Sequence, residues 1–130
     1  MIDMTLEDGR ASKAYDFVFE AKQILKPDEQ KKYKSYVKKI PMLIKVNGLG
    51  PTMAFINSKI GESKREESAY NKIYVQIEQW LIYKKLINEN LISEIIRKNS
   101  YEYRIITNEV IALLTWMKRF VESMIEGDEN

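Results

Sequence analysis

Residues 100–125 read SYEYRIITNEVIALLTWMKRFVESMI and contain the longest helical pattern of this 130-residue chain. The large apolar side chains of this stretch recur every three or four residues, at Tyr103, Ile106, Val110, Leu113, Met117, Phe120 and Met124. This spacing places them on one face of an α-helix, as in the seam between packed helices. The stretch therefore predicts an all-α protein that is packed around its last helix.

Five further helical segments precede this one, at about residues 5–25, 27–46, 50–60, 63–87 and 88–98. Short stretches with Gly, Pro, Asn or Ser separate them, and such residues begin and end helices. Gly61 is expected to end the third segment, and Ser63 and Glu66 have the capping-box spacing that marks the start of the fourth. The fourth segment carries a second apolar stripe, formed by Tyr70, Ile73, Ile77 and Trp80. No alternating strand pattern competes, so we predict one compact bundle of about six helices over residues 1–130, with an acidic tail that frays from about residue 126.

The chain contains neither Cys nor His. The absence of Cys excludes disulfides and cysteine nucleophiles, and the absence of His removes the usual general base and the commonest metal ligand. Carboxylates cluster at residues 62–67 and 126–129, where we expect exposed helix ends and ordinary pKa values. We therefore predict no catalytic residue, no metal site and no cofactor, and we expect that the protein is not an enzyme.

The first nine residues include Asp3, Glu7 and Asp8, where a secretory signal would have a basic start and an apolar run. Lys or Glu also interrupts every apolar stretch before it reaches the roughly 18 residues of a membrane span. We therefore expect a cytoplasmic protein with no membrane partner.

Charge is unevenly distributed along the chain, although the formal net charge is only +2. Between Lys26 and Lys45 there are seven Lys residues against Asp28 and Glu29, a local balance of +5 that leaves −3 for the remainder. A single basic segment in a mildly acidic chain indicates a binding surface for an anionic partner.

A helical wheel separates the apolar and basic side chains of this segment. At about 100° per residue, six apolar side chains fall within an arc of roughly 120°, namely Tyr33, Tyr36, Val37, Ile40, Leu43 and Ile44. Lys31, Lys34, Lys38 and Lys45 fall within about 60° almost opposite, while Lys32 and Lys39 lie along one flank, although Pro41 could displace Lys45. We predict phosphate contacts for Lys31, Lys34, Lys38, Lys39 and Lys45, because each neutralised phosphate releases counterions. The alternative is a solvated helix face that only maintains solubility.

The chain also resembles a known family at several places. The matching stretches are residues 33–44, 47–59, 69–70, 80–81, 103–104, 107, 109 and 112–120, within a region from about Ala14 to Phe120. They are similar to the small subunits of Cmr, the type III-B CRISPR effector complex. The resemblance implies a non-catalytic helical subunit, present in several copies, that stacks head to tail in a minor filament and helps to hold guide RNA paired with target RNA. Pro51 departs from the family pattern, in which we expect a longer polar side chain.

The resemblance implies three partners: other Cmr subunits, further copies of the chain, and guide and target RNA. Trp116 and Arg119 are candidates for a subunit interface, because an aromatic and a basic side chain lie close together there. We expect Arg104 and Glu109 to form ion pairs within or between helices. The main alternative is a protein scaffold without RNA contact. A helix-turn-helix DNA-binding protein is disfavoured, because the turn at Gly48 leads into the apolar residues 53–56.

Overall fold

A computed structural model describes residues 9–63 and 68–127 of the chain. In this part of the chain there are six helices and no strands, so the predicted all-α bundle is confirmed. The helices are α1 (Arg10–Ile24), α2 (Pro27–Asn47), α3 (Leu49–Ser63), α4 (Ala69–Tyr83), α5 (Leu91–Ile95) and α6 (Ser100–Met124). None of the helices in these two ranges is both long enough and apolar enough to cross a membrane.

Local signals place both ends of α2 as predicted. Pro27 occupies the first turn, where its missing N–H has no intrahelical partner to lose. Gly48 ends the helix with φ of 96°, a conformation that strains a residue with a Cβ. The helix continues through Pro41 without interruption, so the residues on both sides of this proline belong to one helix.

The boundary between α3 and α4 differs from the prediction. α3 continues through Gly61 to Ser63, so the prediction that Gly61 ends this helix is wrong. α4 begins at Ala69, because the side chain of Ser68 accepts a hydrogen bond from the Asn71 N–H at 3.1 Å. The predicted start of α4 at Ser63 is therefore also wrong, and Glu66 lies outside the described residues. A capping pattern identifies a possible helix start, and the packing of the chain decides which possible start is used.

α6 forms the centre of the bundle and packs against α1, α2 and α4. Its inward face buries Ile106, Val110, Leu113, Leu114, Met117 and Val121. The predicted stripe of α4 is also in the core at Ile73, Ile77 and Trp80. Tyr103, Phe120 and Met124 are only partly buried at the edge of this core. Both apolar stripes therefore form the core, as the spacing predicted.

A buried carboxylate joins three of these helices. Glu109 on α6 accepts two hydrogen bonds from Arg10 at the start of α1, from Nε at 2.8 Å and from Nη2 at 3.0 Å. It also accepts a hydrogen bond from Trp80 Nε1 on α4 at 2.8 Å. Burial alone would raise the pKa of Glu109, but the hydrogen bonds from Arg10 and Trp80 outweigh it and hold the pKa below its usual range. The expected ion pair of Glu109 is therefore confirmed, and it connects separate helices.

A second buried contact joins α1, α2 and α4. The Tyr33 hydroxyl donates to Gln76 Oε1 at 2.6 Å, and Gln76 Nε2 donates to the Phe17 carbonyl at 2.8 Å. Burial raises the pKa of Tyr33, so the hydroxyl stays protonated as a donor. This contact fixes the rotation of α2 about its axis, because Tyr33 must point at Gln76.

The loop between α4 and α5 is organised around one carboxylate. Glu94 accepts hydrogen bonds from the backbone N–H groups of Asn88, Glu89 and Asn90, each at 2.7 Å. These backbone donors, with Glu89 the strongest, hold the pKa of Glu94 below its ordinary value. A short segment without a regular helix is thereby given a defined conformation.

We predict that Glu109→Gln lowers the free energy of unfolding by about 1.5–3 kcal/mol, since hydrogen bonds to charged groups have this strength. Urea denaturation of the purified chain measures the change. Glu102→Gln is the control, because Glu102 is an exposed carboxylate on the same helix. Equal effects of the two substitutions would contradict the role of Glu109 in joining the helices.

We also predict that the loop at residues 88–90 loses order in acid. The folded pKa of Glu94 lies below its unfolded pKa, so the carboxylate stabilises the loop at pH values above the ordinary Glu pKa. This stabilisation is lost as the pH falls through the folded pKa. Amide hydrogen exchange at residues 88–90 follows the change. Glu94→Gln should remove the pH dependence, whereas Glu89→Gln should retain it. Identical pH profiles for wild type and Glu94→Gln would show that the Glu94 carboxylate does not order this loop.

Candidate nucleic-acid and subunit interfaces

α2 is the helix that carries the predicted phosphate contacts, and it packs against both α4 and α6. Its predicted apolar arc is largely confirmed, since Tyr33, Val37, Ile40 and Ile44 are buried. Two further members of that arc, Tyr36 and Leu43, are half-buried. Contact with α1, α3, α4 and α6 leaves α2 with a narrower solvent face than the wheel indicated.

Lys34 is not on that solvent face. Its exposure is 4%, and its ammonium donates a hydrogen bond to the Ile125 carbonyl at 2.8 Å. The ammonium also lies 3.8 Å from Glu122 Oε1. The prediction that Lys34 lines the outer face is therefore wrong, because the end of α6 covers this position of α2. A charged side chain is buried only where such partners are present.

Lys38 lies at the edge of the same contact. Its ammonium forms an ion pair with Glu122 Oε2 at 3.1 Å, and its side chain is 20% exposed. Lys38 therefore reaches the surface, but a carboxylate of α6 already offsets part of its charge. The helical wheel contains only the residues of α2, so it could not show Glu122, which belongs to α6.

Lys31, Lys39 and Lys45 are exposed, as predicted. Lys31 and Lys45 are 14 residues apart on one continuous helix, which separates them by about 21 Å along its axis. The Lys39 ammonium lies 5.9 Å from the centre of the Tyr36 ring, a cation–π contact that retains the positive charge. These three lysines form the exposed basic face of α2.

The C-terminal end of the described chain lies against α2. Ile125 is buried, and a Cβ on Gly127 would lie 3.5 Å from both Lys31 Cγ and Lys34 Cδ. The backbone is therefore still packed on α2 after residue 126, where the tail was expected to fray. The rest of that tail, residues 128–130, lies outside the described residues.

The basic character of α2 extends into α3. Between Glu29 and Glu62 the sequence contains seven Lys residues and no Asp or Glu. A sequence of this length without a carboxylate cannot neutralise its own lysines. Any neutralisation must come from other parts of the chain, as Glu122 shows for Lys38, or from an anionic partner.

Trp116 and Arg119 belong to a surface patch that involves α1 as well as α6. The Arg119 guanidinium carbon lies 4.9 Å from the centre of the Trp116 ring, and Trp116 stacks on Phe120 with ring centres 6.1 Å apart. The Tyr15 ring of α1 meets Phe120 edge to face at 5.5 Å, and its neighbour Phe19 is 48% exposed. We call these five side chains the aromatic patch. Sequence reasoning found only two of them, since α1 and α6 are far apart in the chain.

The described residues do not form a group of three or more His, Cys, Asp or Glu side chains that could hold a metal ion. Glu109 is a buried carboxylate with a shifted pKa, but Arg10 and Trp80 occupy both of its oxygens. A lowered pKa keeps this carboxylate ionised near neutral pH, so it acts as a hydrogen-bond acceptor within the fold.

Comparison with known proteins assigns the chain to a family. The family model Cas_Cmr5, described as a CRISPR-associated protein, matches residues 6–124. The chain is 30% identical over 116 residues to the CRISPR system Cmr subunit Cmr5 of Thermus thermophilus, and the match covers 89% of this chain and 92% of that protein.

The fold supports the same assignment. The X-ray crystal structure of a CRISPR-associated Cmr5 family protein from Thermus thermophilus matches with a TM-score of 0.74 at 28% sequence identity. The match covers 95% of this chain and 100% of that chain. The family model, the related sequence and the solved structure agree over nearly the whole chain, which therefore belongs to the Cmr5 family of CRISPR-associated proteins.

Proposed function

We propose that this chain is a non-catalytic small subunit of a type III-B CRISPR effector complex in the cytoplasm. In this role it stands beside other Cmr subunits and copies of itself in the minor filament, and it helps to hold guide RNA paired with target RNA. Family membership supports the assembly. The observation that supports an RNA contact is the exposed basic face of α2, which lies within residues 30–61, a segment that contains no Asp or Glu.

The mechanism is electrostatic positioning. Lys31, Lys39 and Lys45 present ammonium groups to the phosphate backbone, and each contact releases condensed counterions without reading sequence. Lys38 adds to this surface when a phosphate competes with Glu122 for its ammonium. Lys34 has a different role, since its buried ammonium holds the end of α6 on α2.

The triple variant Lys31→Glu, Lys39→Glu, Lys45→Glu tests the RNA contact. We expect it to weaken RNA binding by the reconstituted complex and to reduce the slope of log K against log salt by about two to three, as three lost phosphate contacts predict. Filter binding at several salt concentrations measures both quantities.

A matched control carries the same charge change on other surfaces. Lys22, Lys85 and Arg97 are exposed and lie outside α2, so their replacement by Glu should leave the salt slope nearly unchanged. Circular dichroism establishes that both triple variants are folded. If both triple variants change binding equally, net charge accounts for the effect and the basic face of α2 does not contact RNA.

The alternative is a scaffold subunit that contacts only proteins, and the aromatic patch favours it. Aromatic and arginine side chains contribute most to the affinity of protein interfaces, and this patch combines Trp116, Arg119 and Phe120 with the half-exposed Tyr15 and Phe19. A subunit contact at the patch is compatible with an RNA contact, because the patch lies on α1 and α6 and the basic face lies on α2.

Arg119→Glu tests the patch as a subunit interface. The substitution removes the cation from the Trp116 ring at an exposed position, so we expect an unaffected Tm and at least tenfold weaker incorporation into the complex. Co-purification with the other subunits measures incorporation. Lys118→Glu is the control, since it makes the same charge change on the adjacent residue. If Arg119→Glu is incorporated as well as the wild type, the aromatic patch is not a subunit interface.

A further inference from the structure

The chain that follows α6 lies against the N-terminal half of α2. Ile125 has an extended backbone, with φ of −120° and ψ of 129°, so the chain leaves the helix at this residue. The Ile125 carbonyl accepts the hydrogen bond from the Lys34 ammonium. Further on, a Cβ on Gly127 would lie 3.5 Å from Lys31 Cγ and 3.8 Å from Lys31 Cα. The chain therefore passes from Lys34 to Lys31, about one turn closer to the start of α2.

The sequence is acidic where the chain reaches Lys31. Residues 126–129 read Glu-Gly-Asp-Glu, and we call them the acidic segment. Asp128 follows Gly127 directly, and consecutive Cα atoms are about 3.8 Å apart. Because Gly127 lies against the Lys31 side chain, the covalent chain keeps Asp128 within one residue of that lysine and Glu129 within two. Two carboxylates are thus tethered beside the N-terminal end of the exposed basic face of α2.

The Lys31 ammonium is available to these carboxylates. Its side chain is exposed, and it forms no ion pair with another side chain in the described part of the chain. The two carboxylates in the first turn of α2 are engaged by backbone donors. Asp28 Oδ1 accepts the Glu29 N–H at 2.9 Å, and Glu29 Oε1 accepts the Ala69 N–H at 2.8 Å. The positive charge of Lys31 is therefore left for an anion that comes from the acidic segment or from outside the chain.

From these observations we propose that Asp128 and Glu129 bind the Lys31 ammonium in the free chain and mask this end of the basic face. An RNA phosphate must displace them before it can contact Lys31, whereas Lys39 and Lys45 stay open to the first contact. The acidic segment then acts as an autoinhibitory contact that lowers the affinity of the free subunit for RNA. The proposal rests on the RNA contact proposed for α2 and adds to it a regulation of that contact.

Tethering favours this segment over an acidic segment of another chain. A group that is joined to its binding site by one or two residues has an effective concentration on the order of millimolar or above, without any need for a second molecule. The contact is weak, because an exposed ion pair changes an equilibrium constant by only about 1.4- to 5-fold. A weak contact suits this role, since an RNA strand that already contacts other lysines can displace it.

Neutralising the two carboxylates tests the masking. The variant Asp128→Asn, Glu129→Gln is expected to bind a labelled single-stranded RNA about 1.5- to 5-fold more tightly than the wild type. Fluorescence anisotropy of the full chain at about 0.1 M salt measures the affinity, and the gain should shrink at higher salt because exposed charges are screened. The matched control is Asp16→Asn, Glu102→Gln, which neutralises one exposed Asp on α1 and one exposed Glu at the other end of α6.

Two lysine variants show whether the acidic segment acts through Lys31. In a Lys31→Gln chain, the two neutralising substitutions should not tighten RNA binding further, because the masked ammonium is absent. In a Lys45→Gln chain they should have their full effect. Lys45 lies about 21 Å from Lys31 along the helix axis, about two Debye lengths at 0.1 M salt. The pair therefore separates a local contact from the general effect of charge on α2.

NMR spectra of the chain without RNA test the contact directly. The backbone amide signals of Asp128 and Glu129 should shift in the Lys31→Gln variant and stay nearly unchanged in Lys45→Gln. Adding RNA to the wild type should move the same signals in the direction that Lys31→Gln does, since both release the acidic segment. Signals that do not respond to Lys31→Gln would show that the segment does not bind this lysine, and would overturn the proposal.

The RNA measurements can also overturn it. An equal gain in affinity for the neutralised segment and for the matched control, or in both lysine backgrounds, would mean that only net charge matters. If the triple variant of Lys31, Lys39 and Lys45 weakens RNA binding but neutralising the acidic segment has no effect, the masking is wrong and the RNA contact of α2 stands. If that triple variant binds RNA normally, the RNA contact and its regulation are both wrong, even where the NMR signals depend on Lys31.

Discussion

The packing of α2 against both α4 and α6 determines which of its lysines solvent can reach. A helix with one neighbour buries one stripe, whereas a helix with two neighbours buries a wider arc. The bundle buries the apolar side chains of α2, and the end of α6 also covers Lys34 and borders Lys38. What remains exposed is a basic face with Lys31, Lys39 and Lys45. The surface that we propose for RNA is thus a product of how the bundle packs.

The contact between Lys34 and α6 also has a reason in helix electrostatics. The last carbonyl groups of a helix have no intrahelical donors, and the C-terminal end of the helix dipole is negative. The Lys34 ammonium donates to the Ile125 carbonyl just beyond the end of α6, with Glu122 one turn earlier. A lysine of the basic segment therefore stabilises the central helix of the fold, while its exposed neighbours remain available to a partner. The same segment serves both the structure and its proposed recognition of RNA.

Buried polar contacts set the relative positions of the other helices. Glu109 joins α6 to α1 and α4, and Gln76 joins α4 to α1 and α2. Apolar stripes alone permit small rotations and shifts, because dispersion contacts have little directional preference. Hydrogen bonds with fixed lengths and angles remove that freedom, since a displaced helix would leave a buried polar group without a partner.

The sequence by itself determined the helical class, the two apolar stripes that form the core, both ends of α2 and the resemblance to the Cmr small subunits. These features depend on spacing along one helix or on local conformation, such as the left-handed backbone at Gly48. Only the tertiary structure decided that Lys34 is internal, that α3 continues through Gly61, and that Tyr15 and Phe19 of α1 lie in the same patch as Trp116. Each of these depends on which distant segment covers a given face, and helical periodicity carries no information about that neighbour.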